Sequence, residues 1–132
     1  MADRPDEGAA GRFAYAGLSR IFHEKARLGI MASLMTEPGG LVFNDLKELC
    51  SLTDGNLSRH VQVLSEAGFV EVFKGFERRK PRTLVRATEE GRERFRTYLG
   101  ELERVVKDMH HAERGSPSEA AEEDLPPGWI PV

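Results

Sequence analysis

Residues Asn44 to Val70 read NDLKELCSLTDGNLSRHVQVLSEAGFV. Two short amphipathic segments flank Ser51-Leu52 within it. Asn44 has the short polar side chain that suits an N-cap, which predicts a helix through Asp45-Leu46-Lys47-Glu48-Leu49. Thr53 is placed to cap the second segment, and Asp54 stands where the positive end of a helix dipole favours an acid. Leu57, Val61 and Leu64 recur at helical spacing and line one face. At about 100° per residue, Gly55, Asn56, Arg59, Gln62 and Val63 fall broadly opposite that face, with Ser58 on the flank. Gly68 follows where a helix end favours a left-handed residue. The stretch therefore predicts two helices joined by a tight turn. The second presents small, amide and guanidinium groups to solvent.

Downstream, Phe69-Val70-Glu71-Val72-Phe73 alternates like a half-buried strand, and Arg82-Thr83-Leu84-Val85-Arg86-Ala87 reads as its returning partner. Between them Glu77-Arg78-Arg79-Lys80-Pro81 forms a charged turn, in which Pro81 limits the tip and blocks edge pairing. Thr88 caps a last helix with Glu89 and Glu90 in its first turn. Phe95, Leu99, Leu102, Val106 and Met109 then follow at alternating spacings of four and three, a short heptad seam. Upstream, apolar residues from Leu18 to Met35 (Leu18, Ile21, Phe22, Leu28, Met31, Leu34, Met35) recur at helical spacing. Pro38-Gly39-Gly40 breaks the chain, and Leu41-Val42-Phe43 is a short strand candidate.

The order is helix, short strand, helix, turn, helix, hairpin, long helix. That is a mainly α fold with a small β-hairpin, a winged helix-turn-helix with a long C-terminal dimerisation helix. A chain of 132 residues holds one such domain and little else. The expected organisation is a disordered N-terminal arm over 1–12, a DNA-binding and dimerisation domain over 13–112, and a disordered, acidic, Pro-containing tail over 113–132.

The formal net charge is −3, which by itself argues against a nucleic-acid partner. Its distribution reverses that argument. Lys74 to Arg96 holds nine basic and four acidic residues, a local excess of five positive charges. Glu113 to Val132 holds five acids against the single base Arg114. A local basic patch, not the global sum, governs phosphate binding. The chemistry of the exposed groups agrees. Arg59 and Asn56 can pair bidentately with guanine and adenine edges in a major groove, which is wide enough for a helix, and Gln62 is a DNA-binding candidate on the same face. Thr53 and Ser58 can donate to phosphate. Arg78, Arg79, Lys80 and Arg82 on the hairpin suit the DNA backbone or a minor groove.

The run LTDGNLSRHVQVLSEAGFVEVFKGFERRKPRTLVRATEEGRE resembles the winged-helix core of MarR/ArsR-like transcriptional regulators, in their small stand-alone form. The matching pieces are Asn56-Leu57-Ser58-Arg59-His60, Glu66-Ala67-Gly68-Phe69-Val70, Arg78-Arg79-Lys80-Pro81-Arg82-Thr83 and Ala87-Thr88-Glu89-Glu90-Gly91. His23 to Ile30 resembles the first core helix of that form, so the likeness spans roughly residues 18–108. It implies a homodimer, built from the outer helices, on a roughly palindromic stretch of double-stranded DNA. The seam Phe95, Leu99, Leu102, Val106 and Met109 is the expected dimer interface.

Metal-sensing relatives carry a cysteine pair before the recognition helix, whereas Cys50 here stands alone. Asp108-Met109-His110 and His110-His111-Ala112-Glu113 overlap instead of being spaced along the helix, so no metal or other cofactor is expected. One cysteine cannot form an internal disulfide, no apolar run spans a membrane, and the polar start reads as no targeting peptide. A cytoplasmic location is expected. No phosphate loop, nucleophile elbow or metal quartet points to an enzyme. The rival reading is a winged helix used as a protein–protein interaction module without sequence-specific DNA binding. It calls for apolar anchors on the exposed face of the second helix, where only Val63 is apolar.

Overall fold

The computed structural model describes residues 11–115 and 125–132. Four helices and three strands follow in chain order: α1 (Lys25–Met35), β1 (Leu41–Val42), α2 (Phe43–Cys50), α3 (Asp54–Glu66), β2 (Val70–Glu77), β3 (Lys80–Ala87) and α4 (Glu89–Gly115). The strands form one antiparallel sheet in the order β1-β3-β2, so the chain has the expected winged helix-turn-helix architecture. Gly40 makes the entry to β1 possible. Its φ is +98°, and a Cβ there would lie 2.7 Å from the Val85 carbonyl oxygen, so only glycine passes.

Helical spacing between Leu18 and Phe22 does not become helix. Residues 11–24 run as successive turns, and α1 begins only at Lys25. Glu24 is the reason at its end. Its backbone is extended, and its carboxylate accepts the Arg27 N–H at 2.9 Å, making it the N-cap. Phe22 is nonetheless 1% exposed, in contact with the rings of Phe69, Phe95 and Tyr98 at 5.0, 5.3 and 5.8 Å. This aromatic cluster ties the N-terminal turns, the end of the helix-turn-helix and α4 into one core with Ile30, Met31, Leu34, Leu46, Leu57 and Leu64.

Asn44 is not the N-cap of α2. Pairing of Val42 with Leu84 on β3 holds Val42 extended, and the helix starts directly at Phe43, which is therefore not a strand residue. The turn between α2 and α3 is made by Ser51 in the left-handed region (φ 55°, ψ 48°), whose N–H reaches back to the last turn of α2.

Thr53 caps α3 as expected, accepting the Asn56 N–H at 3.1 Å. Gly68 has φ +82° and turns the chain into β2. At the other end of the hairpin, Thr88 accepts the Gly91 N–H at 2.9 Å and donates its hydroxyl to the Gly68 carbonyl at 2.7 Å. The start of α4 is thereby clamped onto the end of the helix-turn-helix. Gly91 lets the two backbones approach: a Cβ there would sit 2.1 Å from the Phe69 carbonyl oxygen.

Helix α4 has 27 residues, so it is about 40 Å long at 1.5 Å per residue. It continues through Glu113 and Arg114 to Gly115, past the end expected for the folded part. Most of the expected arm (1–10) and the centre of the expected tail (116–124) lie outside the described residues. Within Leu125–Val132, Trp129 and Ile130 are exposed.

Candidate nucleic-acid interface

Helix α3 divides as its sequence predicts. Leu57, Val61 and Leu64 are buried, whereas Asn56, Ser58, Arg59 and Gln62 are exposed. Val63 is half-buried, so no large apolar group stands on the exposed face. His60 is the buried polar residue of the helix, 7% exposed. Its Nδ1 lies 3.1 Å from Arg27 Nη1. A guanidinium only donates, so Nδ1 is the acceptor. Arg27 also donates through Nε to the Ile21 carbonyl at 2.7 Å. Glu24 completes the group. The Arg27 backbone N–H, and then the nearby Arg27 guanidinium, hold its carboxyl below the usual range. This network fixes the buried side of α3 against α1 and the turns before it.

The hairpin stands beside α3. Ser58, Gln62, Ser65 and Glu66 of α3 and Lys74 and Thr83 of the hairpin edge a cleft of about 470 Å³, floored by Phe43, Val61, Val72 and Val85. The polar face of α3 and one face of the wing therefore open to the same side. Lys74 and Thr83 were not among the candidates read from sequence. The signal for them is the register itself: Val72 pairs with Val85 and Lys74 with Thr83, so period-two alternation puts all four on one face.

Arg78 and Arg79 form the two-residue turn between Glu77 and Lys80, with φ of 52° and 66°. Two positive φ values mark a type I′ turn, which favours Asn-Gly. A left-handed conformation costs a non-glycine residue about 1–2 kcal/mol. Two arginines thus occupy backbone positions that favour glycine or asparagine, and both are exposed at the tip. Lys80 is exposed beside them. Arg82 differs from the other candidates. It is half-buried, and its Nε donates to Glu77 at 3.2 Å across the opposite face of the hairpin, so it is paired within the wing. Gln62 is also engaged, donating to Glu66 at 3.1 Å, though both are at the surface.

The expected dimer seam divides into two parts. Phe95 is corrected: it is 1% exposed within the single chain, between Phe22 and Tyr98, and belongs to the core. Leu102 is half-buried against that same core. Leu99, Val106 and Met109 remain exposed on α4. The N-terminal turns bind alongside: Tyr15 donates to Asp108 at 2.7 Å and the Gly17 N–H to Glu101 at 3.0 Å.

A helix-turn-helix whose second helix bares an amide and guanidinium face, next to a basic two-stranded wing, defines a nucleic-acid-binding winged helix. The family described as winged helix DNA-binding domain matches residues 26–106, and the chain belongs to it. A protein of Methanocaldococcus jannaschii, itself uncharacterised, is 38% identical over 93 residues, covering 68% of this chain and 97% of its own length. The solved structure of a transcriptional regulator homologue from Pyrococcus horikoshii OT3 is 34% identical with a TM-score of 0.65, covering 69% of this chain and 89% of that one. The structure of MarR has a TM-score of 0.59 at 24% identity, with 75% of this chain and 74% of that one covered, and shares the fold. Among the described residues no helix is long and apolar enough to cross a membrane.

Proposed function

We propose that the protein is a sequence-specific duplex-DNA-binding transcriptional regulator that acts as a homodimer. Helix α3 enters the major groove, where Asn56, Arg59 and Gln62 read base edges and Thr53 and Ser58 touch phosphate. Arg78, Arg79 and Lys80 contact the backbone or the minor groove; Arg82 contributes by shaping the wing through Glu77. The observation that carries this reading is the shared cleft, on which polar groups of α3 and of the hairpin open to one side. The Pyrococcus horikoshii relative, described as a transcriptional regulator homologue, supports the regulatory role. The domain runs from about residue 13 to the end of α4.

The homodimer rests on the exposed stripe Leu99, Val106 and Met109. A long helix with apolar groups beyond its own core favours a self-complementary two-fold contact. Two-fold symmetry also suits two α3 helices spaced about one DNA turn apart.

The test is selection of duplexes from a randomised pool, followed by mobility shifts with Arg59→Ala. The expected cost is about 1–3 kcal/mol of specific binding, with relaxed sequence choice at the positions it reads. Unchanged affinity and unchanged preference would remove α3 from the interface.

A further inference from the structure

Phe76 is 79% exposed, two residues from the tip of the wing. Its cross-strand partner is Pro81, also exposed. Directly opposed residues on paired strands share a face. That face is the one toward α3, because Val72, Lys74, Thr83 and Val85 on it line the cleft and Phe76 and Pro81 continue the alternation outward. The other face of the wing is closed by its own contacts. There Arg86 covers the Phe73 ring at 4.9 Å, and Arg82 pairs with Glu77. The wing thus carries a bare phenyl ring and a proline ring side by side near its tip; beyond them lie Arg78, Arg79 and Lys80, with the one acid there, Glu77, paired to Arg82.

We propose that Phe76 and Pro81 form an apolar wedge that enters the minor groove and partly unstacks a base step, bending the DNA. The inference rests on the DNA-binding reading above. Phe and Pro are among the side chains suited to this insertion, which kinks a duplex by roughly 20–90°. A minor groove is about 6 Å wide, so the two rings and not the two-stranded ribbon enter it, and the groove opens as the duplex bends. The three cations beside the rings select the partner. An apolar protein pocket would have to desolvate them, whereas a polyanion pairs with them while the rings reach the bases. Pyrimidine–purine steps, which unstack most easily, are the expected contact points. Specificity then arises at the wing from deformability, apart from the base edges read by α3.

The probe is the duplex of about 30 base pairs that the full-length wild-type chain selects from a randomised pool, wide enough for two half-sites about one turn apart. It carries donor and acceptor dyes at its ends and 2-aminopurine at the pyrimidine–purine steps flanking each half-site. Binding of wild type shortens the end-to-end distance and brightens one 2-aminopurine on each side. Phe76→Ala melts at the wild-type temperature, leaves the duplex straight and dark, and binds about thirtyfold more weakly, the low end of what aromatic stacking on a base contributes at two wings. Its salt dependence stays that of wild type, since no phosphate contact is lost. Phe76→Leu keeps the bend. A Phe76→Ala complex as bent and bright as wild type would overturn the wedge, as would a wild-type complex that is straight and dark. If wild type retains no duplex at all, the DNA-binding reading fails first and the wedge fails with it.

Discussion

Gly91 and Gly100 lie on the same helix, and replacing each by alanine is expected to move stability in opposite directions. Any glycine-to-alanine change inside a helix gains about 1 kcal/mol of propensity. At Gly100 nothing lies within 4 Å of the added methyl, so the gain is kept. At Gly91 the methyl would lie 2.1, 2.8 and 2.9 Å from the carbonyl oxygen, carbonyl carbon and Cα of Phe69. All three are backbone atoms, so no rotamer change relieves the clash. The start of α4 must back away by roughly an ångström to restore ordinary contact. That movement stretches the bonds of Thr88 to the Phe69 and Gly68 carbonyls, now 3.0 and 2.7 Å long. Overpacking costs about 1–3 kcal/mol and two weakened hydrogen bonds about 1 kcal/mol each. Set against the propensity gain, Gly91→Ala is expected to lose about 2–4 kcal/mol, a large part of a small domain's stability. Urea denaturation followed by circular dichroism at one fixed protein concentration measures both variants. Gly100→Ala raises the midpoint and Gly91→Ala lowers it at unchanged slope. A Gly91→Ala protein as stable as wild type would refute the close approach of α4 to Phe69.

Ser51→Gly should stabilise the fold by up to about 1 kcal/mol, because it relieves the left-handed residue between α2 and α3; a thermal melt unchanged or lowered would contradict that backbone geometry. Glu24→Gln should weaken the cap of α1 by about 0.3–1 kcal/mol near neutral pH, because the amide oxygen can still accept the Arg27 N–H but brings no charge to the helix end. Because the Glu24 carboxyl is held below its usual range, the wild-type advantage is present above the unfolded value and disappears as pH falls through the folded one; a difference from Gln that persists into strong acid would count against it. Val106→Glu combined with Met109→Glu should give a folded monomer with weak operator binding, since both side chains are exposed in the single chain and neither supports its core. Light scattering that finds wild type itself monomeric at micromolar concentration would remove the dimer.

Features set by local chemistry were legible in the sequence. The Thr53 and Thr88 caps and the left-handed Gly68 depend on their immediate neighbours, and each lies where the residues indicate. The hidden and bare faces of α3 follow from a 3.6-residue period over one short helix. What escaped was set at long range. Phe22 has helical spacing with its neighbours, but its burial comes from Phe69, Phe95 and Tyr98, far along the chain, and the backbone around it turns instead. Asn44 is a good cap displaced because β3 holds Val42 extended. A heptad seam does not say which chain covers it, and Phe95 is covered by its own. Lys74 and Thr83 became visible as cleft residues only once the hairpin register was known, and the same register gives Arg82 its partner Glu77.

The claim that the wing and α3 together grip duplex DNA is tested most directly by salt. Fluorescence anisotropy with the selected duplex, from about 50 to 200 mM salt, gives the slope of log affinity against log salt for wild type and for Arg78→Ala/Arg79→Ala/Lys80→Ala. Each phosphate contact contributes about 0.9 to that slope, so the triple variant should flatten it by up to about three for one wing and between five and six for two. A wild-type protein with no preference for the selected duplex over random competitor, or a triple variant with the wild-type slope, would contradict the account.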